Sequence, residues 1–282
     1  KFAYILFKHS AIMKKIEARI AEEKKGETAT PAVERKKLSE FEVITCAREG
    51  QAGDAIVYLD ENYGKFLYNR SKGTWMRWAG HYLEDDLEAA DALAAVENVA
   101  DVYRRVLAGL RKIQRGLSPT DTLEPDEIDQ TDDSDDKGED KQLKANIKVL
   151  TNKISSLHRV SHRDAVLKMV RTWKDKSMRI DGKELDTNPW LLACANGVIE
   201  QKTGQLRDGR FTDYISCASP TVWTGLDTPC PAFDKFLLDI FGGDQEMVDY
   251  IWRVLGLAII GDQPERAVLV LCGPGGANGK ST

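Results

Sequence analysis

Apolar residues recur at helical spacing in the middle of the chain, where they predict two consecutive helices. The first has an apolar stripe whose members are four and three residues apart: Leu143, Ile147, Leu150, Ile154 and Leu157. The second is predicted to begin at Ser161, with Asp164 completing a weak capping box. Its apolar face consists of Val166, Leu167, Val170 and Trp173.

Helical spacing also appears nearer both ends of the chain. Residues 11–25 predict a short amphipathic helix, and residues 84–115 predict two helices with a break near Glu97. Residues 231–260 predict a helical pair, in which Pro231 suits a first helical position and Asp244 an N-cap. The first helix of this pair has an apolar face that we expect to be buried: Phe233, Phe236, Leu237, Ile240 and Phe241.

Three other segments have the pattern of strands. Aromatic residues on both sides of a polar loop in residues 54–86 predict a β-hairpin. Residues 187–230 predict strands with turns at Asn196-Gly197 and Thr203-Gly204, and the unbroken apolar run 267–272 predicts a strand buried on both faces. The fold class is therefore α+β and mainly helical.

Changes of composition predict three domains. Residues 1–45 form an N-terminal arm or the end of a preceding domain, residues 46–230 an accessory domain, and residues 231–282 the start of a further domain. The segment 120–141 has almost no apolar residues, which predicts a disordered acidic linker inside the accessory domain.

Composition excludes several classes of protein. In the 282 residues, 42% are apolar and 30% charged, which is close to the globular average. No apolar run is long enough for a membrane helix, so we expect no membrane partner. The five cysteines include no C-x-x-C pair, which argues against a disulfide scaffold or zinc ribbon and favours a reducing compartment.

The net charge of −5 conceals a strong asymmetry. Residues 121–141 carry a net charge of −9, whereas residues 142–183 carry +8. A basic helical surface beside aromatic residues is typical of DNA binding. The candidate DNA-binding residues are Arg163, Lys168, Arg171, Lys174 and Lys176, together with Trp75 and Arg77 of the hairpin.

Less specific interpretations of the same residues remain open. The cations can form a solvated helix face, and the hairpin aromatics can face a core, as alternation along strands would produce. His158 and His162 have the spacing of helical metal ligands, but no glutamate lies between them and arginine neighbours repel a cation, which favours solvated or DNA-facing histidines.

The last ten residues follow the apolar run and contain the pattern of a phosphate-binding loop. Glycine-rich backbone cradles phosphate oxygens with N–H groups, a lysine reaches the β- and γ-phosphates, and a serine hydroxyl ligates Mg²⁺. Lys280 and Ser281 would have these last two roles. The predicted ATP-binding residues are Gly273, Gly275, Gly276, Asn278, Gly279, Lys280, Ser281 and Thr282.

This loop is one residue longer than usual. Four residues normally separate its first glycine from Gly279, but that first position is Pro274, and Gly273 leaves five residues between. Ala277 is the candidate for the extra residue.

Five segments together resemble the primase-helicases of phages, plasmids and poxviruses, from about Gly53 to the end of the chain. One lies in the first half of this span and four lie in the second. They are W-x-x-W-x-G at 75–80, N-G-V-I-E followed by T-G-Q-L at 196–206, C-P-A-F-D-K-F-L at 230–237, Y-I-W-R-V-L-G at 250–256, and the loop at 273–282.

The resemblance implies the domain that precedes a superfamily-three helicase motor, with residues 231–282 as the start of that AAA+-like motor. It implies a ring-forming, ATP- and Mg²⁺-dependent enzyme, a hexamer in full length, that unwinds DNA during replication in the cytoplasm of a bacterial or virus-infected cell. The residues that carry over are Gly279, Lys280, Ser281 and Thr282. Primase activity often accompanies such motors, but no primase carboxylate motif is evident.

The remaining parts of such a motor are expected beyond Thr282, so the chain is interpreted as a truncated piece. We therefore expect residues 1–282 alone to hydrolyse no ATP and to hold no cofactor tightly. Two other functions stay open: an interaction collar without DNA contact, and an unrelated metabolic kinase that uses the same loop.

Overall fold

A computed structural model describes residues 37–116, 139–174, 176–261 and 270. These residues form two compact units, the first from residues 37–79 and 83–185 and the second from residues 80–82 and 186–261. The elements of the first unit are α1 (Glu40–Arg48), α2 (Gln51–Glu61), β1 (Phe66–Asn69), β2 (Thr74–Trp78), β3 (Leu83–Asp86), a 3₁₀ turn (Leu87–Ala89), α3 (Ala90–Ala94), α4 (Glu97–Gln114), α5 (Glu139–Leu157), α6 (Val160–Thr172) and β4 (Arg179–Ile180).

The sheet of the first unit has the strand order β3-β2-β1-β4. Strands β1 and β2 form the predicted hairpin, with Tyr68 opposite Trp75. Asn69 holds its loop, because its side-chain oxygen accepts hydrogen bonds from the Ser71 amide and hydroxyl at 3.1 and 2.9 Å. The short strand β4 pairs with β1 in parallel and brings Arg179 beside Tyr68.

Helices α1, α2, α4, α5 and α6 enclose the main core of this unit. The predicted stripe of α5 is confirmed: Leu150 and Leu157 are fully buried, and the other three members pack against the core. Two helices separated by a short break also occupy the segment 84–115, although the break falls at residues 95–96, slightly before Glu97.

The predicted start of α6 is wrong by one residue, and the predicted cap is absent. The helix begins at Val160, its N-cap is Arg159, and no side chain caps it. Instead Arg163 Nε donates to the carbonyl of Leu157 at 2.7 Å, which satisfies an otherwise free group at the end of α5. The tight junction between the helices therefore replaces the capping box.

The second unit begins with a three-stranded sheet. Its elements are β5 (Leu191–Cys194), β6 (Gly197–Glu200), β7 (Gln205–Arg207), a 3₁₀ turn (Phe211–Asp213), α7 (Pro231–Ile240) and α8 (Gln245–Ile259). Both predicted turns connect antiparallel neighbours in the order β5-β6-β7. Arg207 links β7 to Glu200 at 2.7 Å and to Asp213 at 2.8 and 2.9 Å.

The helical pair α7 and α8 has the predicted termini. Pro231 is the first residue of α7, and Asp244 caps α8 by accepting from the Met247 amide at 3.1 Å. The predicted burial of α7 is wrong for most positions. Of its apolar face only Leu237 is buried in the described structure. The phenylalanines are half-exposed, and Phe233 packs against Phe236 of the same helix and Trp252 of α8.

The mainly helical α+β class predicted from the sequence is confirmed. Over the described ranges, the helices that form are too short or too polar to span a bilayer.

Gly53 allows α1 and α2 to pack at very short range. A Cβ built on Gly53 would lie 1.7 Å from the Cys46 carbonyl oxygen, so any side chain must push the two helix backbones apart. Gly109 in α4 is the matched control, because the nearest atom to its added Cβ is 4.0 Å away, at the end of the Glu40 side chain.

We expect Gly53→Ala to lower the free energy of unfolding by about 1–3 kcal/mol, the usual effect of overpacking. Gly109→Ala should raise it by about 0.5–1 kcal/mol, because alanine favours a helix interior. Urea denaturation of both variants measures the two changes, and equal effects would contradict the close approach at Gly53.

Candidate nucleic-acid interface

The predicted ATP-binding residues, from Gly273 to Thr282, lie outside the described residues, and their roles stay predictions. The acidic linker lies mostly outside them as well, since residues 117–138 are not described. The predicted DNA-binding residues all lie in the first unit, where their surroundings can be compared.

Three of those residues make structural contacts. Trp75 is 4% exposed and packs against Tyr68 and Tyr58, with ring centroids 5.4 and 6.4 Å away. Arg77 is ion-paired with Glu84 at 2.5 Å and Asp91 at 3.2 Å.

Arg163 is the third. It spans the α5–α6 junction and also bonds to Glu97 of α4. Its guanidinium therefore connects helices of the core.

Lys168 and Arg171 lie in a different setting, on a face of α6 that borders the sheet. Because they are three residues apart, they share this face. Within the described part of the chain, no ion pair joins either side chain to a carboxylate. Lys174 and Lys176 follow the helix and are exposed.

A cavity of about 390 Å³ lies where α6 meets the β1–β4 edge of the sheet. We call it the basic cavity, and its lining residues are Tyr68, Arg70, Arg171, Thr172 and Arg179. Three of these five residues are arginines, so this cavity concentrates positive charge in a chain of net charge −5.

Backbone pairing places the arginines of the basic cavity. The Arg70 amide donates to the Ile180 carbonyl at 2.9 Å, which aligns the start of the hairpin loop with β4. Arg179 Nη1 donates to the Arg171 carbonyl at 3.0 Å, joining β4 to the last turn of α6. The Arg171 guanidinium lies 5.9 Å from the centre of the Tyr68 ring, within the range of a cation–π contact.

A second cavity of about 380 Å³ shares Tyr68 and Arg171 with the first. We call it the mixed cavity, because apolar, acidic and basic side chains line it. They include Thr74, Trp75, Glu88, Asp164, Leu167 and Lys168. The Oγ1 atom of Thr74 is buried and has no hydrogen-bond partner among the described residues.

One wall of the mixed cavity has a strained backbone. Glu88 and Ala89 adopt left-handed conformations, with φ of 57° and 58°. Such conformations cost about 1–3 kcal/mol each in residues other than glycine and occur often at ligand sites. The turn is held by Asp86, whose carboxylate accepts from the Asp91 and Ala92 amides at 3.0 and 2.8 Å.

Comparison with known proteins identifies the class of this chain. A family model described as "D5 N terminal like" matches residues 55–242, about two thirds of the chain. The chain belongs to this family. A 101-residue stretch, 35% of the chain, is 33% identical to the protein named "Putative helicase L207/L206" of Acanthamoeba polyphaga mimivirus. That stretch spans 10% of the mimivirus protein.

The resemblance to primase-helicases of phages and viruses is thereby confirmed at the level of the family. The D5 N-terminal-like match covers every residue that lines the two cavities, from Tyr68 to Arg179. It ends before the glycine-rich loop at residue 273.

His162 belongs to a largely buried charge cluster that joins α6 to α2 and α5. Its Nε2 atom lies 2.8 Å from Asp54 Oδ2, which also accepts from Lys153 Nζ at 2.8 Å. Asp54 Oδ1 accepts from the Tyr103 hydroxyl at 2.7 Å, and Asp54 itself is fully buried. Burial and the neighbouring carboxylate raise the pKa of Tyr103 well above its usual range.

The prediction that both histidines are solvated or face DNA is therefore wrong for His162, although His158 is exposed. His158 lies in the turn after α5, whereas His162 belongs to α6, so they do not share a helix face. No cluster of three or more His, Cys, Asp or Glu side chains suited to a metal ion occurs in the described ranges.

Sequence reasoning overlooked Tyr68, Thr74 and Arg179 as site residues. Arg179 reaches the site only through a parallel pairing with a strand that lies more than a hundred residues earlier. Arg70 was visible as a cation beside the hairpin aromatics, but no local pattern indicated the helix that it faces.

We expect Asp54→Ala to lower the free energy of unfolding by about 3–5 kcal/mol, because it leaves the Lys153 ammonium poorly solvated and without its carboxylate. The control is Asp85→Ala, which breaks an exposed pair with Lys72 and should change stability by at most about 1 kcal/mol. Chemical denaturation measures both. If the two variants lose similar stability, the Asp54 cluster contributes no more to the fold than an exposed ion pair does.

Proposed function

We propose that this protein works in a DNA-replication primase-helicase, where the first unit holds DNA for a ring-forming, ATP-driven motor whose first residues are 231–282. The observation that carries the proposal is the basic cavity, in which Arg171, Arg179 and Arg70 converge at the junction of α6 and the sheet. Membership of the D5 N-terminal-like family supports a role in replication.

The chemistry of the basic cavity suits a phosphodiester. Guanidinium groups present several N–H donors in a planar fork that matches phosphate oxygens. The ion pair that engages Arg70 is with Asp181, at 2.9 Å, and both side chains are more than half exposed. An exposed pair of this kind is worth at most about 1 kcal/mol, so a phosphate can replace the carboxylate.

The motor part of the proposal rests on the sequence of residues 273–282. In it Lys280 would bind the β- and γ-phosphates of ATP, and Ser281 would ligate Mg²⁺ in the full-length protein. A ring, and a hexamer in particular, and a cytoplasmic site of action belong to the same proposal.

A second candidate function is an interaction collar without DNA contact. It is favoured by the apolar side chains that α8 leaves at its surface, where Trp252, Leu255 and Ile259 are 38%, 39% and 54% exposed. A protein-binding surface would account for such a patch. The two functions predict different effects on DNA affinity when the cations of α6 are removed.

The test is fluorescence anisotropy with labelled single-stranded DNA across a range of salt concentrations. We expect the triple variant Lys168→Ala, Arg171→Ala and Lys174→Ala to bind more weakly at physiological salt. The slope of log affinity against log salt should become shallower by about 2, because about 0.7 counterions are released for each phosphate contact to a single strand.

The matched control removes three positive charges from other helices: Arg105→Ala, Arg111→Ala and Lys148→Ala. This control variant should bind single-stranded DNA with nearly the same affinity as the unsubstituted protein. Unchanged DNA binding by the α6 variant would favour the collar, and an equal loss in both variants would show only an effect of net charge.

A further inference from the structure

We infer that the two cavities together hold one unpaired nucleotide of a DNA strand, with its phosphate in the basic cavity and its base in the mixed cavity. This inference rests on the proposed contact of the first unit with DNA, and it names the form of DNA that the site takes. Tyr68 and Arg171 line both cavities, so they lie where phosphate and base would be joined through the sugar.

The distribution of charge fixes the orientation of the nucleotide. Three arginines attract phosphate to the basic cavity, whereas Glu88 and Asp164 of the mixed cavity repel it. Carboxylate oxygens accept hydrogen bonds from amino groups, which adenine, cytosine and guanine carry on their edges. The phosphate and the base therefore have separate, complementary places.

The surface of the mixed cavity suits a base in two further ways. The half-buried Tyr68 gives it an aromatic surface on which a base can lie, and the nearly buried Trp75 packs against that ring. Thr74 contributes the buried hydroxyl that no described residue satisfies. A buried polar atom without a partner is unfavourable, and a hydrogen bond to a base edge would remove that penalty.

An unpaired base is required because paired bases cannot enter such a cavity. In a duplex the Watson–Crick edge is occupied and both faces are stacked, so a base must leave the stack to be enclosed. Asp86 accepts hydrogen bonds from the Asp91 and Ala92 amides, which closes the turn that contains Glu88 and Ala89 and keeps this wall in place before any ligand arrives. A preformed wall lowers the ordering cost of binding.

A free nucleotide offers the same phosphate and base as a nucleotide within a strand. The strand is favoured because Lys174 and Lys176 continue the positive charge beyond the basic cavity, where neighbouring phosphates would lie. The experiment therefore tests both a DNA strand and a free nucleotide as the ligand.

The experiment measures the affinity of the protein for oligo(dC) of about 12 nucleotides, for its duplex with oligo(dG), and for a strand of equal length that lacks all bases. We expect the single strand to bind at least about fivefold more tightly than either of the others. Deoxycytidine monophosphate should compete poorly, since it gains no contact with neighbouring phosphates.

Two variants test the base contact and the phosphate contact separately. Thr74→Val should weaken binding of oligo(dC) by about three- to tenfold, the effect of one buried hydrogen bond, and leave the baseless strand unaffected. Arg171→Ala should weaken both strands. Thr74→Val should not lower the melting temperature, since it removes an unsatisfied hydroxyl. Thr45→Val in α1 is the control, because it makes the same substitution where the hydroxyl has a partner, the Phe41 carbonyl.

Equal affinity for the single strand, the duplex and the baseless strand would overturn the base site while leaving DNA binding intact. If deoxycytidine monophosphate binds as tightly as the oligonucleotide and displaces it, the cavities are a site for a free nucleotide, and the inference of a DNA strand is wrong. Absence of binding to every DNA would overturn this inference and the proposed function together.

Discussion

The position of α6, and with it the interface, depends on one buried carboxylate. Asp54 of α2 is removed from water, and its two oxygens accept from Tyr103 of α4, Lys153 of α5 and His162 of α6. A desolvated charge is tolerated only where its partners are complete, so the cluster restricts how these helices can be arranged. Helix α6 is the one that carries Lys168 and Arg171 to the sheet.

The sheet supplies the opposite side of the interface through an equally specific contact. Two residues of β4 pair in parallel with the end of β1, and the Tyr68 amide donates to the Met178 carbonyl at 2.8 Å. This pairing places Arg179 next to Tyr68 and beneath the last turn of α6. The interface is therefore built from a hairpin and a helix–strand segment that are far apart in sequence and rigidly joined in space.

Much of the fold could be predicted from periodicity, because apolar stripes such as that of α5 directly record which face is buried. The turns at Asn196 and Thr203 and the cap at Asp244 were equally visible, since each depends on local chemistry. The burial of α7 could not be predicted in the same way, because an apolar face shows only that a helix needs a partner. Much of that face remains half-exposed in the described structure.

The candidate site was predictable only in part, since the role of a charge depends on partners that lie elsewhere in the chain. Arg163 and Lys168 look alike in a basic stretch, yet Glu97 engages the first, and no described carboxylate pairs with the second. Asp54 has the appearance of an ordinary polar residue of a helix. Its importance appears only when three distant helices bring their donors to it.

DNA contact at the two cavities is tested most directly by photocrosslinking of the full-length protein to single-stranded DNA that carries a photoreactive base, followed by mass spectrometry of the digested complex. We expect crosslinks in peptides from the hairpin around Tyr68–Trp75 and from the α6–β4 segment around Lys168–Arg179. Crosslinks confined to other parts of the chain, such as residues 186–261, would contradict it.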